Sequence, residues 1–305
     1  MTGWFWVFGG AAAGAAAYAV LGEPYWIREV TYVVPAEGKD GLDGLSVVLL
    51  TDLHGRADAL ARPTVQGWIA AADLVVVAGD LYSPLRPRRP LARALVRLDP
   101  ARLVFVSGNH DWRRGRLDLA PWVPPPGVVL DNRWIRRERR GAPYVVAGLP
   151  DLERGRPDWD AFADIPAGLP ALLVSHRPDA VLDPRSARFF LVLAGHTHGG
   201  QVAIPGWGPI LRHTRVPRRA AAGLSRWPPD RWLVVSRGLG TSELPIRFGA
   251  RPEVVRVVVR VRPASGAPTS GQWIPPAESG IMEETDYEAG EARRATRPHP
   301  PDREG

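Results

Sequence analysis

Between residues 45 and 193 the chain repeats one pattern: a short apolar run, rich in Val and Leu, that breaks off at glycine or polar side chains. The runs fall at 47–50, 74–77, 103–106, 144–147, 172–174 and 189–193. They are too short for helices and lack the alternation of a half-exposed strand, so the pattern predicts strands buried on both faces. Helical periodicity over 60–72 and 91–98 places helices between the early strands, which makes a layered α/β body. Later runs at 231–235 and 254–261 have no helical pattern between them and predict a second, more antiparallel sheet. There is no repeat of fixed period.

The two ends depart from this pattern. Residues 3–22 carry no charge, and about 20 apolar residues is the length a membrane-spanning helix needs. Trp4, Trp6 and Tyr18 suit the interfacial aromatic belt. An N-terminal anchor over 1–22 is therefore expected, with association to a membrane of undetermined side. The rival is an exported form, because Ala17-Tyr18-Ala19 has the small-x-small pattern of a cleavage site, although no cationic stretch precedes the apolar core. Residues 23–44 read as a connector and 45–262 as the globular domain. From 263 to 305 Pro, Gly, Ser and Glu dominate, which predicts a disordered tail.

Composition narrows the chemistry. The 305 residues include no cysteine, which excludes disulfides, thiolate zinc sites, iron–sulfur clusters and a cysteine nucleophile. Any metal must be held by imidazole, carboxylate and amide groups. The net charge is +7, and the tail opposes it with eight acids against four arginines, so the body is more basic than the whole. Such a body favours anionic partners, whether phosphate esters, nucleic acid or an anionic lipid surface. Lys39 is the only lysine, so an arginine bias of composition underlies part of this charge.

Five of the seven histidines sit in the polar residues that follow a buried run. VVLLTDLHG places Asp52 and His54 two apart, on the same side of an extended backbone. VVVAGDLY ends in Asp80 after a glycine that permits a sharp turn. VFVSGNHDW offers Asn109, His110 and Asp111; LLVSH ends in His176, and LVLAGHTHGGQ ends in His196 and His198. Taken singly, Asp-Leu-His, Gly-Asp and Gly-Asn-His read first as ordinary turns, whereas two histidines in a glycine-rich loop have little structural purpose. In open α/β sheets ligands bind at the carboxyl ends of the strands, so all five loops are expected to meet in one crevice. Carboxylates, imidazoles and an amide without sulfur suit two divalent cations such as Mn, Fe or Zn, with magnesium preferring fewer imidazoles.

The ordered set DxH, GD, GNHD, H and GHxH resembles the signature of the calcineurin-like metallophosphoesterases, over roughly residues 45–262. The resemblance implies a four-layer α/β/β/α sandwich with two mixed sheets and a metal site at the carboxyl ends of the strands. It implies one cation on Asp52, His54, Asp80 and His198, and another on Asp80, Asn109, His176 and His196, with Asp80 bridging. Two cations about 4 Å apart clamp a phosphoryl group and activate a water between them. His110 is implied to contact the phosphate or protonate the leaving oxygen, with Asp111 orienting it. GHTHGGQ, residues 237–254 and the apolar N-terminus resemble a membrane-associated or exported bacterial branch, although the twin-arginine signal of some members is missing.

Substrate choice is expected from the loops. Arginines in 84–89 and 112–116 follow site residues directly, and guanidinium forks bind phosphate, although any one of them reads equally as part of a solvated basic face. With Trp112, Trp122, Trp207 and the anchor they point to a phosphodiester or pyrophosphate in a lipid-linked molecule of the UDP-diacylglucosamine kind. The alternatives are soluble nucleotides, cell-envelope polymers, or a nuclease on the same centre. No nucleic-acid-binding motif is visible, so nucleic acid is not the expected partner, and no protein partner is inferred.

Overall fold

The computed structural model describes residues 2–81, 83, 88–113, 116–117, 127–204 and 206–261. The tail at 263–305, the loop residues 84–87, 114 and 115, and Trp122 lie outside the described residues.

Helix α1 (Thr2–Ala17) opens the chain and is followed by strands β1 (Arg28–Pro35) and β2 (Ser46–Leu50), helix α2 (Pro63–Ala71), strand β3 (Leu74–Ala78), helix α3 (Arg88–Leu95) and strand β4 (Leu103–Val106). Three two-residue strands follow, β5 (Trp112–Arg113), β6 (Arg116–Leu117) and β7 (Val128–Val129). Next come β8 (Arg133–Arg139), β9 (Ala142–Leu149), β10 (Ala171–Ser175) and β11 (Leu191–Ala194). The chain finishes with β12 (Ala203–Ile204), β13 (Gly208–Pro209), β14 (Gly223–Trp227), β15 (Arg231–Val235) and β16 (Glu253–Arg260).

Two six-stranded mixed sheets form, in the orders β1-β16-β2-β3-β4-β7 and β14-β15-β11-β10-β9-β8. All six early apolar runs are strands of these sheets, and both expected helices form, the first shortened to Pro63–Ala71 because Pro63 sets its start. The expectation that 231–235 and 254–261 share a sheet is corrected. β15 lies parallel to β11 in the second sheet, while β16 returns to the first, parallel to β1 and antiparallel to β2. The segment read as a connector therefore contains an edge strand, β1, whose partner is remote in sequence.

Continuous apolar runs are needed because both faces of each sheet are covered. Val47 and Leu49 point between the sheets, with Val76, Val104, Leu172, Val174 and Leu193. Their neighbours Val48 and Leu50 point outward onto Val65 and Ile69 of α2 and Leu91 and Leu95 of α3. On the outer face of the second sheet, Leu173, Val192 and Val235 lie under Phe162, Val181 and Phe189. There the covering layer is built from short 3-10 segments such as Pro178–Leu182 and Pro184–Arg188. Frequent prolines and the i, i+3 spacing of those segments kept a helical period from showing in the sequence.

The N-terminal α-helix is shorter than the apolar run that contains it. The α-helix stops at Ala17 and the chain continues as a π-helical turn, Tyr18–Gly22. Among the described residues no helix is long and apolar enough to cross a membrane. Residues 6–18 are exposed, but the root is fastened to the body. Arg247 N–H donates to the Ala19 carbonyl at 2.9 Å, and the buried Glu23 carboxylate accepts from the Gly249 and Ala250 amides.

Candidate metal centre

Each site residue stands just beyond the carboxyl end of its strand: Asp52 and His54 after β2, Asp80 after β3, Asn109 to Asp111 after β4, His176 after β10, and His196 and His198 after β11. The backbone leaves these strands abruptly. Asp52, His54, Asp80, His196 and His198 all have positive φ, at 50°, 43°, 56°, 70° and 51°. This region is costly for residues with a Cβ, and its concentration at one place is the pattern of a functional site. Gly79, at φ +82°, makes the turn that the sequence anticipated before Asp80.

The donor atoms converge in two groups. His54 Nε2 lies 3.3 Å from His198 Nε2, which lies 3.5 Å from Asp52 Oδ1. His176 Nε2 lies 3.1 Å from Asn109 Oδ1 and 3.2 Å from His196 Nδ1. Asp80 Oδ2 sits between the groups, 3.6 Å from His54 Nε2 and 3.4 Å from His176 Nε2. The structure thus brings together all seven residues that the sequence nominated as ligands. Two histidine rings are set for coordination by their outer hydrogen bonds. His176 Nδ1 donates to the Ala78 carbonyl at 2.9 Å and His196 Nε2 to the His213 carbonyl at 3.1 Å, which leaves Nε2 and Nδ1 respectively to face the site.

His110 keeps 30% of its side-chain exposure. Its Nε2 is 3.3 Å from Ser242 Oγ and 4.0 Å from Asp80 Oδ2, while its backbone N–H donates to Asp80 Oδ1 at 2.8 Å. Asp111 is buried, and its carboxylate accepts from the backbone amides of Asp80, Leu81 and Gly108. Asp111 therefore ties the Asp80 turn to the Asn109 turn. Trp112 donates its indole N–H to Ser107 at 3.0 Å.

Electrostatics test whether this donor set suits cations. Burial, and then the Asp80 charge, push Asp111 up to about 7; Asp52 is pushed up to about 6, chiefly by burial. Burial works against charge on His176, yet the Asp80, Asp52 and Asp151 carboxylates outweigh it and raise the ring to about 10. Asp80 is held well below the usual carboxylate range, burial being overcome by His176, His54 and His110. Burial, with the neighbouring His176 and Arg177, lowers His196 to about 2, and burial with His54 and Arg247 lowers His198. The carboxylates thus draw protons into the pocket while two imidazoles stay neutral. Divalent cations would replace those protons and use those lone pairs, so the residues fit them.

Other parts of the site were not singled out in the sequence. Gly238, at φ +68°, lies where a Cβ would come 2.6 Å from Asp52 Cβ. Ser242 and Arg247 belong to the stretch 237–254, whose motif could have flagged them although its spacing implies no ligand. The Arg247 guanidinium is fully buried, with Nη2 3.3 Å from His198 Nδ1.

Residues 45–200 match the family described as calcineurin-like phosphoesterase, and the chain belongs to that family of metal-dependent phosphoester hydrolases. Among its relatives, the chain is 28% identical over 270 residues to the uncharacterized metallophosphoesterase YkuE of Bacillus subtilis, which covers 81% of this chain and 93% of that one. It is 28% identical over 247 residues to the phosphodiesterase YaeI of Escherichia coli, covering 76% of this chain and 88% of that one. It is also 28% identical over 271 residues to a Danio rerio protein named transmembrane protein with metallophosphoesterase domain, covering 80% of this chain and 60% of that one.

Proposed function

We propose that Asp52, His54 and His198 hold one divalent cation, that Asn109, His176 and His196 hold a second, and that Asp80 serves both. The observation that carries this reading is the position of Asp80 Oδ2 within 3.6 Å of His54 Nε2 and 3.4 Å of His176 Nε2, between two otherwise separate donor groups. When bound, such cations polarise phosphoryl oxygens and make a water acidic enough to attack phosphorus near neutral pH. The chain itself sets the angles, with Asp80 and the strained turns fixing where the phosphate sits.

His110 stands at the edge of the donor groups with its Nε2 accessible. As the water oxygen bonds to phosphorus and the ester P–O bond breaks, His110 gives a proton to the departing oxygen. Asp111 acts one step further out, through the backbone of the two turns it joins. His110→Ala is expected to lower kcat on a chromogenic phosphodiester by about a hundredfold with unchanged metal content. Full turnover in that variant would remove His110 from the chemistry.

The preferred substrate in this reading is a phosphodiester or pyrophosphate in a membrane or lipid-linked molecule of the UDP-diacylglucosamine kind. The apolar α1 and the name of the Danio rerio relative support membrane association. Metal analysis followed by a panel of monoesters, diesters and lipid pyrophosphates tests it, and faster turnover of soluble nucleotides than of the lipid substrates would overturn the lipid assignment.

The metal-free protein also carries a pH signature. His176 is raised from 6.5 to about 10, so its contribution to stability is complete below the unfolded value and is lost as pH rises through the folded one. His196 and His198, both lowered, act in the opposite sense only below 6.5. The melting temperature of chelator-treated protein is expected to fall from about pH 7 to about pH 10, and Mn²⁺ binding near pH 8 to release about one proton or more. Calorimetry in buffers of different ionisation enthalpy reads the release, and zero release would contradict a protonated His176.

A further inference from the structure

We infer that the face carrying the mouth of the metal centre docks on an anionic lipid bilayer through a rim of Ile204, Trp207, Ile210, Leu211, Leu244 and Phe248. These side chains are between 40% and 62% exposed. Single exposed apolar residues are ordinary, but a joined group of large ones marks a contact surface. The segments that carry them are joined by backbone bonds: Ala203 N–H donates to the Phe248 carbonyl, Phe248 N–H to the Gln201 carbonyl, Ile210 N–H to the Val202 carbonyl and Trp207 N–H to the Ile204 carbonyl, at 2.8, 2.8, 3.0 and 3.1 Å.

Both rim segments grow directly out of the site. One leaves it at His198 and returns at His213, whose carbonyl accepts from His196. The other starts at Ser242, against His110, and passes Arg247, against His198. The same rim also holds the root of α1. The Arg247 amide bonds Ala19, the Tyr18 ring meets Phe248 edge-on at 6.2 Å, and Glu23 binds the amides that follow Phe248.

The occupant is argued from what leaves that root. α1 runs 16 residues without a charged side chain, and Trp6 and Val7 are 83% and 61% exposed. Such a helix, about 24 Å long, asks for an apolar medium on every side, which a bilayer supplies and a single protein groove does not. Two arginine–tryptophan stacks lie at the border, with Arg218 3.4 Å over Trp207 and Arg251 3.7 Å over Trp26. Tryptophan at headgroup level with arginine beside it suits an anionic interface. The metal centre then opens toward phosphates at the bilayer surface. That consequence rests on the phosphoesterase reading, while the docking itself does not.

The test uses the full chain with vesicles of phosphatidylcholine and phosphatidylglycerol brominated on the acyl chains. Tryptophan emission of the native chain should be quenched, with Trp207→Phe losing a measurable share while the tryptophans of α1 are still quenched. A variant with Ile210→Ser, Leu244→Ser and Phe248→Ser should hydrolyse an acylated chromogenic diester held in the vesicles about tenfold more slowly or worse, and a soluble chromogenic diester at the native rate. Equal quenching in Trp207→Phe would overturn the proposal even with hydrolysis intact. Intact quenching with no hydrolysis of either diester would sink the phosphoesterase reading and leave the docking standing. A rim-dependent dimer in sedimentation, with no vesicle binding, would assign the rim to a second copy and overturn it.

Discussion

Asp80→Asn is expected to lower kcat/KM on a chromogenic phosphodiester by about a thousandfold or more, equivalent to about 4 kcal/mol of transition-state stabilisation. The size of the effect follows from the position of one oxygen. Asp80 Oδ2 faces both donor groups, while Oδ1 accepts the His110 amide. The amide substitution keeps the volume and one acceptor but removes the charge that keeps His176 raised and that two cations would share. Metal content by elemental analysis should fall from two ions toward one or none, and the variant should remain folded because its turn is held separately by Asp111. Full activity with two metals bound would refute the shared role of Asp80.

Much of this arrangement was legible in the sequence, for one reason: the donors all fall in the short polar stretches that directly follow runs of Val and Leu buried on both faces. Those runs could only be central strands, and the ends of neighbouring parallel strands meet. Register then did the rest, with Val47 opposite Leu74 and Val75 opposite Leu103 bringing Asp52, Asp80 and Asn109 to one edge. What stayed hidden is what depends on long-range pairing. β8 reads as RWIRRER, a charged edge strand whose Ile135 and Trp134 find apolar cover, between the sheets and on the outer face, only through residues remote in sequence. β16 ends the domain in sequence yet lies between β1 and β2, a crossover that no local period encodes. The contacts of Gly238 with Asp52 and of Ser242 with His110 likewise join positions far apart in the chain.

Arg247→Met should show how far the centre depends on that remote stretch. The guanidinium is fully buried and donates to five backbone carbonyls, those of His198, Arg237, Gly238, Gly240 and Ala250. Burial lowers its pKa to about 10, Asp52 and Glu253 opposing the shift, so at neutral pH the cation persists and no anion forms a direct pair with it in this set of bonds. Methionine fills a similar space but returns no donors, leaving carbonyls that water cannot reach. The expected loss is about 3–5 kcal/mol of stability, or about 10 °C in melting temperature. The second effect is chemical. Arg247 donates to the His198 carbonyl, so its loss frees the backbone that carries that ring and should weaken metal binding by about ten- to a hundredfold. Arg247→Lys separates the two effects: it restores the charge but not the planar fork, so a purely electrostatic role predicts rescue and a scaffolding role predicts none. Melting curves of the metal-free and Mn²⁺-loaded forms, read beside metal titrations, decide between them, and a variant as stable as the native chain with native metal affinity would show that the loop holds His198 without its guanidinium.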